Sequence, residues 1–391
     1  MIDLERLRRW PDIEAPNLSA VDATDRLLLD TARDWLAADP ETAEEARVGP
    51  IAIIGDRYGA LTLGLQSAWA EAGAPGEPGV TSQAAPRLRV HQDSLSGERA
   101  LDANAEALGL ERHHEHLGLT PDLVAGCRLV LLQLPRSLDA LDEIAATIAA
   151  GAPADVTVLA GGRLKHMTVA MNEVLGRHFG EVRAGLARQK SRVLTARAPR
   201  PQPAPTPWPR SRRDAEFDLT VAAHAAAFAG PSVDIGTAEL LRLLDRMPSV
   251  GEVVDLGCGT GVLAVSYARR HPSAHVVATD QSAAAVASAR ATAEANGVAV
   301  DVVRDDAGAS LPAGSAELVL LNPPFHVGAT VHAGIAHKMF EAAARLLAPG
   351  AELWCVWNSH LGHRPVLERV VGPTRQLVRT PVFTVTVSTR R

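Results

Sequence analysis

Between Pro199 and Pro209 a proline stands at nearly every second position, and this run is the clearest interruption of the chain. Proline fixes φ and lacks an amide donor, so such a run forms neither a helix nor the interior of a sheet, and it is extended and stiff. At 391 residues the chain also exceeds what one hydrophobic core usually organises. The sequence therefore predicts two domains, at residues 1–198 and 214–391, with a linker at 199–213.

Both domains alternate short aliphatic runs with Ala- and Leu-rich stretches, which is typical of an α/β fold with a parallel sheet flanked by helices. In the second domain the predicted strands lie near Val253–Leu256, His275–Thr279, Val300–Val303, Glu317–Leu321 and Glu352–Val356. The predicted helices there are Gly261–Arg270, Ala283–Ala295 and Ala333–Leu347. Residues 380–389 are rich in Val and Thr and are predicted to form a terminal β-hairpin.

The two halves resemble a degenerate repeat. Ile51–Gly59 parallels Val253–Gly261, because in each an aliphatic run leads into a turn that contains glycines. Leu129–Pro135 parallels Leu318–Pro324 in the same order along the chain. Chance similarity between α/β units is the alternative, but two marks in the same order favour a duplication.

Cysteine usage and the N-terminus bear on the compartment. The three cysteines are far apart and lack the spacing of a zinc site or a disulfide framework, so we expect no metal and a reducing environment. Acidic residues near Met1 do not fit a secretory signal, and no apolar run approaches the ~20 residues that span a bilayer. We expect a cytoplasmic protein, without a membrane partner, that acts as a monomer.

The net charge of −6 hides an uneven distribution. Residues 182–213 contain nine basic residues and no acid, and the region after Glu368 has arginine as its only charged residue. A basic stretch of this kind either contacts nucleic acid backbones or serves as a solubilising linker. The charge pattern by itself leaves both open.

A glycine-rich turn, Asp255–Gly261, follows a buried strand and opens a helix in the second domain. Glycines at 257, 259 and 261 let the backbone turn sharply and approach a ligand closely. Dinucleotide sites use a similar turn, but the leading acid Asp255 suits a cationic amino-acid ligand better than a pyrophosphate. This favours S-adenosylmethionine as the cofactor.

Acids at the ends of the next two strands are the candidate nucleoside ligands. Asp280 is placed to accept both ribose hydroxyls, and it also suits the N-cap of the following helix. Asp305 and Asp306 end the third strand, where one carboxylate would accept from an adenine amine. Of these two we favour Asp306.

Asn322-Pro323-Pro324-Phe325 ends the fourth strand and is the most specific feature of the sequence. The prolines fix the backbone and donate no hydrogen bonds, which leaves the Asn322 side-chain oxygen and the Pro323 carbonyl as two fixed acceptors. An exocyclic amine donates two N–H bonds and fits between them. Phe325 provides a face on which a base stacks, commonly worth ~1–3 kcal/mol. The pattern predicts methyl transfer to a planar amine, by alignment of donor and acceptor without a nucleophilic side chain.

The histidines have weaker assignments. His326, His332 and His337 follow the acceptor motif, and either a proton-shuttle role or a structural role fits them. His113–His116 contains three histidines and a glutamate, which are possible metal ligands, but without a further ligand cluster nearby we interpret it as a solvated surface run.

Together, Gly257–Gly261, Asp280 and Asn322–His326 resemble the class I S-adenosylmethionine-dependent rRNA (guanine-N2)-methyltransferases of the RlmG/RsmC type. That resemblance implies two tandem Rossmann-like methyltransferase domains, the N-terminal one degenerate, and ribosomal RNA or a ribosomal subunit as partner. Segment Val233–Thr237 resembles the family's segment before the first strand, which implies that Gly236 and Thr237 contact the cofactor.

The first half resembles the N-terminal domain of the RlmG-type enzymes in four segments, which implies that it serves RNA recognition. Those segments are Gly55–Leu61, Leu134–Ser137, Gly161–His166 and Gln189–Arg192. Where the second domain has Gly259, this half has Arg57, whose side chain we expect to obstruct a nucleoside, so we predict a catalytically dead domain. The cations expected to contact RNA are Arg188, Lys190, Arg192, Arg210, Arg212 and Arg213.

The leading hypothesis is therefore an enzyme that methylates the exocyclic N2 amine of a guanosine in ribosomal RNA. One alternative keeps the enzyme and changes the acceptor to a protein glutamine amide, since an amide NH2 resembles an aryl amine. The other is a non-catalytic RNA-binding factor of ribosome assembly. The sequence identifies neither the nucleotide nor the ribosomal subunit.

Overall fold

The computed structural model describes residues 2–38, 49–72, 87–201, 208–324 and 329–391, with the backbone alone at 70–72 and 329–333. Its contacts divide the chain into two units, Met1–Pro207 and Trp208–Arg391. The division falls inside the stretch that the sequence marks as a linker. Residues 210–213, placed in the linker by the sequence, belong to a strand of the second unit. No helix in the described ranges is long and apolar enough to cross a membrane.

The first unit is built on a seven-stranded sheet. Its strands are β1 (Ile51–Ile54), β2 (Leu88–His91), β3 (His114–His116), β4 (Leu129–Gln133), β5 (Thr157–Arg163), β6 (Phe179–Ala184) and β7 (Ser191–Pro199). Its helices are α1 (Ala23–Ala38), α2 (Ala60–Ala72), α3 (Leu95–Ala107), α4 (Pro121–Val124), α5 (Leu138–Gly151) and α6 (Val169–His178). The strand order is β3-β2-β1-β4-β5-β7-β6, with β7 antiparallel to both of its neighbours.

The second unit repeats this design and adds a small antiparallel ribbon. Its strands are β8 (Arg210–Asp214), β9 (Leu219–Ala223), β10 (Glu252–Leu256), β11 (His275–Asp280), β12 (Asp301–Arg304), β13 (Ala316–Leu321), β14 (Leu347–Asn358), β15 (Thr374–Arg379) and β16 (Phe383–Thr389). Its helices are α7 (Ile235–Leu241), α8 (Val262–Arg270), α9 (Ala283–Ala295), α10 (Ala329–Leu346) and α11 (Arg364–Val370). The main sheet has the order β12-β11-β10-β13-β14-β16-β15, and β8 pairs with β9.

Each sheet is buried on both faces, because successive residues of the central strands point into different cores. Val253 packs with α7, α8 and α9, whereas its neighbour Val254 packs with α10 and α11. The first unit has the same arrangement, with α1 to α3 on one face and α4 to α6 on the other. This three-layer α/β/α structure confirms the predicted fold class and explains why the central strands are aliphatic without alternation.

The strand register confirms that the units share a common plan. In the first unit Ile51 of β1 pairs with Leu129 of β4. In the second unit Val253 of β10 pairs with Leu318 of β13. The glycine turn and the end of the fourth strand therefore meet at the same place in both sheets, and positions can be matched one by one.

One sequence prediction needs correction at the C-terminus. Residues 380–389 do not form a whole hairpin, since they contribute only β16 and the turn before it. The other strand is β15, whose sequence Thr-Arg-Gln-Leu-Val-Arg is polar because it lies at the edge of the sheet. An edge strand lacks the aliphatic signature that made the central strands recognisable.

The glycine turn packs so closely against α9 that a side chain at Gly261 would collide with the helix. The φ of Gly261 is +76°, and a Cβ there would lie 2.8 Å from the Ala289 Cβ and 3.0 Å from the Ala289 Cα. Gly297 also has a positive φ, +64°, but faces open space, so Gly297→Ala should cost only the ~1–2 kcal/mol of a left-handed residue. We predict a clearly larger loss for Gly261→Ala in urea unfolding. Equal losses in the two variants would contradict the close approach.

Candidate active site

The glycine turn lies at the carboxyl end of the central strand β10. The amides of Gly257 and Cys258 donate to the Thr279 carbonyl at 2.8 and 2.9 Å, which ties the turn to the neighbouring strand β11. Gly259 has a φ of +53°, and a Cβ built on it would meet no atom within 4 Å. The backbone at Gly259 is thus open to a ligand on its side-chain face, as the sequence predicts.

Asp255 has a different environment from the one that its place in the motif suggests. Its carboxyl is buried, and Oδ2 accepts from the Ala264 amide of α8 at 3.0 Å. Burial raises the pKa of this carboxyl to about 7; the bond from Ala264 opposes that rise and the charge of Asp280 adds to it. In this structure the acid holds the start of α8, and its contact with a ligand stays a prediction.

Asp280 lies beside the glycine turn, at the end of β11. Its Oδ2 accepts from the Gly259 amide at 3.0 Å and its Oδ1 from the Ser282 amide at 2.9 Å. Ser282 itself caps α9 through its hydroxyl. The carboxylate therefore joins the glycine turn to the loop before α9, which is the position that a ribose ligand needs in this type of fold.

The two acids after β12 point in different directions. Asp305 is buried, and its Oδ2 accepts from both the amide and the hydroxyl of Ser310 at 2.7 Å. Asp306 instead forms an ion pair in which Lys338 Nζ lies 2.7 Å from both carboxylate oxygens. Of the two acids, Asp306 is therefore the one whose carboxylate bonds to a residue outside its own loop. Lys338 had no role in the sequence interpretation.

Asn322 follows β13 and has a fixed orientation. Its Nδ2 donates to Asp234 Oδ2 and to Thr237 Oγ1, both at 3.0 Å. The carboxylate of Asp234 only accepts hydrogen bonds when ionised, so the amide nitrogen must be the atom that faces it. Asn322 Oδ1 is buried and has no partner among the described residues. A buried acceptor without a donor costs free energy, so this oxygen marks a place where a ligand donor belongs.

Asp234 makes that orientation possible and was the functional residue that sequence reasoning missed. It is the N-cap of α7, and its Oδ2 also accepts from the amides of Gly236 and Thr237 at 2.9 and 3.1 Å. A Cβ on Gly236 would lie 3.1 Å from that oxygen, so only glycine fits there without a shift. Gly236 and Thr237, predicted to contact the cofactor, here contact Asp234 and Asn322. An aspartate directly before a helix start was the available signal.

The rest of the acceptor motif is described only in part. Pro323 is buried and Pro324 is exposed, which is consistent with a turn that leaves the sheet. Phe325 and His326 lie outside the described residues, and for His332 only the backbone, in α10, is described. His337 lies 3.2 Å from Glu341 on the same helix.

The predicted RNA-contacting cations fall into two groups, one in each unit. Arg188, Lys190 and Arg192 lie at the turn before β7 and in its first residues, and Arg188 is 3.8 Å from Asp30. The second group is on β8. There Arg210 lies over the Trp208 ring at 3.9 Å and Arg213 pairs with Asp218, whereas Arg212 forms no ion pair within the described ranges. Lys190 and Arg212 are exposed, and Arg192 is half-buried.

The histidine run is not the solvated surface run expected from the sequence. His114 is buried, and its Nε2 and that of His116 both contact Asp102 Oδ1, at 2.8 and 3.0 Å. Both Nδ1 atoms are buried without partners. A metal-bound histidine normally donates through its other nitrogen, which neither ring does here, so we interpret the cluster as a link between β3 and α3.

This sheet order, with a glycine turn and an oriented acceptor amide at its carboxyl edge, defines an S-adenosylmethionine-dependent methyltransferase of class I. Family models agree: residues 218–387 match the methyltransferase small domain and residues 3–200 match the RLMG N-terminal domain. The ribosomal RNA large subunit methyltransferase G of Streptomyces avermitilis is 33% identical to this chain over 388 residues, 97% of this chain and 95% of that protein. The chain belongs to the family of ribosomal RNA large subunit methyltransferases G.

A second relative agrees with this assignment, and a solved structure shares the fold. The Pseudomonas paraeruginosa protein of the same name is 33% identical over 384 residues, 97% of this chain and 96% of that one. The solved structure of the T. thermophilus 16S rRNA N2 methyltransferase RsmC, in complex with AdoMet and guanosine, has a TM-score of 0.70 at 22% identity. The match covers 95% of this chain and 92% of that chain, so the two share their fold over nearly the whole length.

The raised pKa of Asp255 predicts a pH dependence of stability. Between its ordinary value of 3.8 and about 7, the folded chain holds a proton that the unfolded chain has released. The stabilisation from this group is therefore complete at low pH and is lost as pH rises through 7. We predict that Asp255→Asn, which needs no proton, gains stability relative to the wild type between pH 5 and pH 8. A difference in unfolding free energy that stays constant over this range would contradict the prediction.

Proposed function

We propose that the protein transfers a methyl group from S-adenosylmethionine to the exocyclic N2 amine of a guanosine in ribosomal RNA of the large subunit. The observation that carries this proposal is the unpartnered, buried oxygen of Asn322, whose direction is set by Asp234. The names of the related proteins support RNA of the large subunit as the substrate. The acceptor class follows from the chemistry of the turn.

The residues at the carboxyl edge fit the cofactor. Gly259 leaves its side-chain face open, and the Asp280 carboxylate stands beside it at the place of a ribose ligand. Asp306 presents a carboxylate to an adenine amine once Lys338 moves from it. When bound, S-adenosylmethionine supplies the electrophilic methyl group, so the chain itself has only to hold and align the acceptor.

The acceptor is held by two oxygens of consecutive residues. Asn322 Oδ1 and the Pro323 carbonyl each accept one N–H of the amine, which draws its nitrogen out of conjugation and leaves the lone pair free to attack. As the nitrogen bonds to the methyl carbon, the bond from that carbon to the sulfonium sulfur breaks and a neutral thioether leaves. The methylated nitrogen then releases one proton to water. Both oxygens also stabilise the positive charge that develops on nitrogen during transfer. Neither has to reorganise, because Asp234 and Thr237 fix the amide and proline fixes the backbone. Phe325 provides the stacking face in this proposal.

The first unit is proposed to be catalytically dead and to serve RNA recognition. Gln133 stands at the position of Asn322, and its Nε2 donates to the Asp25 carboxylate. Both amides therefore donate to an aspartate, Gln133 to Asp25 and Asn322 to Asp234. The residue after Gln133 is Leu134, so the unit lacks the Asn-Pro-Pro sequence. Arg188, Lys190 and Arg192 in this unit, and Arg210, Arg212 and Arg213 in the second, are proposed to contact RNA phosphates.

Asn322→Ala tests the acceptor geometry. We predict unchanged affinity for S-adenosylmethionine in calorimetry and a fall in turnover of roughly 10²–10³-fold, because a preorganised electrostatic contact is lost. Thr237→Val should lower turnover less, since Asp234 still holds the amide. Turnover is measured with labelled cofactor and with rRNA from a strain that lacks the enzyme.

Asn296 offers a matched control for this experiment. It joins β9 to α9 through bonds with Thr220 at 2.7 and 3.0 Å, away from the acceptor turn. Asn296→Ala should lower stability and keep turnover. An active Asn322→Ala would remove the proposed mechanism, and labelling of protein in place of rRNA would favour a glutamine-amide acceptor.

The arginines of β8 test RNA contact by the second unit. Replacing Arg210, Arg212 and Arg213 together by Gln should raise the KM for rRNA and reduce the salt dependence of binding. Each phosphate contact that is lost lowers the slope of log K against log salt by about 0.7 for single strands. Arg290→Gln, on the exposed side of α9, is the matched control. An unchanged slope in the triple variant would show that β8 does not contact RNA.

A further inference from the structure

The shared strand register makes it possible to ask what stands in the first unit at each cofactor position of the second. Ile53 of β1 takes the place of Asp255, because both lie two residues before the first glycine of their turns. Gln92 takes the place of Asp280, since each follows directly after the residue that pairs with the end of the central strand. The first unit thus lacks an acid at both of these positions, and it has Asp56 at the position of Cys258.

Cations have been gained at the same edge. Arg57 stands at the position of Gly259, and Arg163 ends β5 where Asn358 ends β14. Arg136 follows Gln133 by three residues in the sequence, as Phe325 follows Asn322. Lys165 follows Arg163 by two residues. The carboxyl edge of the first sheet therefore presents positive charge, where the corresponding edge of the second sheet presents carboxylates.

These cations are poorly neutralised within the described residues. Arg57 and Lys165 form no ion pair there, and Arg136 contacts only the ring of His166, at 3.5 Å. The nearest acid to Arg163 is Asp22, at 3.8 Å. Burial lowers the pKa of His166, and four neighbouring charges lower it further. In order of effect these are Arg136, Lys165, Arg163 and Arg57. The four cations therefore lie close enough together to act on one ring, and of the four only Arg163 has a carboxylate within 4 Å among the described residues.

A cavity of about 230 Å³ lies among these side chains. Arg57 lines this cavity, and its expected obstruction of a nucleoside stays a prediction. Cofactor sites usually enclose ~300–1,000 Å³, so the space is small for S-adenosylmethionine. It is large enough for a smaller anionic group, which the surrounding charges would attract.

Three acids, Asp22, Asp25 and Asp56, line the cavity, and each already accepts hydrogen bonds. Asp22 Oδ1 accepts from the Thr24 and Asp25 amides, and its Oδ2 lies 3.8 Å from Arg163. Asp56 is buried, and its Oδ2 accepts from the amide and hydroxyl of Thr62 at 2.7 and 2.6 Å. Asp25 accepts from the Asp22 amide and from Gln133 Nε2. Burial raises the pKa of the Asp25 and Asp56 carboxyls, that of Asp25 to about 7. Because their pKa values are raised, Asp25 and Asp56 carry less negative charge at neutral pH and repel an anion less strongly.

We propose that this cavity binds one phosphate group of the RNA substrate, with Arg57, Arg136 and Lys165 as its ligands. Arginine presents several donors in a planar fork that matches phosphate oxygens, and lysine adds a compact charge. The proposal rests on the proposed function, because it takes RNA as the substrate. It goes further, because it assigns an anionic ligand to the place in the first unit that corresponds to the cofactor site of the second.

The test uses the full chain with Arg57→Gln, Lys165→Gln and the double variant. Each single change should raise the KM for rRNA roughly 10-fold, as expected for loss of a hydrogen bond to a charged group. The double variant should also lower the slope of log K against log salt by about 0.7 to 0.9, the value for one phosphate. The turnover at saturating rRNA should change little, which separates binding from chemistry.

Arg183→Gln is the matched control, because Arg183 is exposed in the same unit and pairs with Glu181 on β6, away from the cavity. It should leave both KM and slope unchanged. Calorimetry with S-adenosylmethionine should give one site per chain in the wild type and in every variant. Unchanged melting temperatures show that the variants remain folded.

The outcomes separate this proposal from the proposed function. If the wild type does not methylate rRNA, the function itself fails. If it does, and the double variant keeps the wild-type KM and salt slope, the phosphate site is wrong while the function stands. Two S-adenosylmethionine sites per chain would also overturn the proposal, because the cavity of the first unit would then bind cofactor.

Discussion

One carboxylate oxygen organises the candidate active site. Asp234 Oδ2 accepts from two backbone amides at the start of α7 and from the side chain of Asn322, which lies 88 residues further along the chain. Turning the Asn322 amide over would place its oxygen against that carboxylate, and two acceptors in contact repel each other. Since bonds to a charged group contribute ~1.5–3 kcal/mol, the orientation is well determined. The free oxygen therefore points where the chemistry needs it before any substrate arrives.

That arrangement depends in turn on the parallel sheet. Because β10 and β13 are neighbours with Val253 opposite Leu318, the turns that follow them emerge side by side at one edge. The glycine turn and the acceptor turn can then act on the same two reactants although the chain between them contains two helices and three strands. α/β proteins bind ligands at the carboxyl edge for this reason, and the residues there vary while the strands stay aliphatic.

Much of this was predictable because it is encoded locally. The aliphatic strands, the glycine turn and Asn322-Pro-Pro each carry their signal within a few residues, and the structure has them where the sequence places them. Asp234 was missed because its partner is distant in sequence. The burial of the Asp255 carboxyl was likewise not predictable, because a motif does not show which side chains the fold will bury. The prediction that His114 belongs to a solvated surface run was wrong for a similar reason, since its partner Asp102 lies on another element.

The duplicated plan also explains how one fold holds two opposite kinds of ligand. Sheet order and register are the same in both units, so the loops at the carboxyl edge converge in the same way whatever residues they carry. S-adenosylmethionine bears positive charge on its sulfonium and ammonium groups, and acids beside a glycine turn suit it. Arg57 in place of Gly259 and Gln92 in place of Asp280 reverse that preference while the order of the sheet stays the same. The place in the first unit that corresponds to the cofactor site of the second can then bind an anion. In an enzyme that acts on RNA, the anion most often met is a phosphate of the RNA backbone.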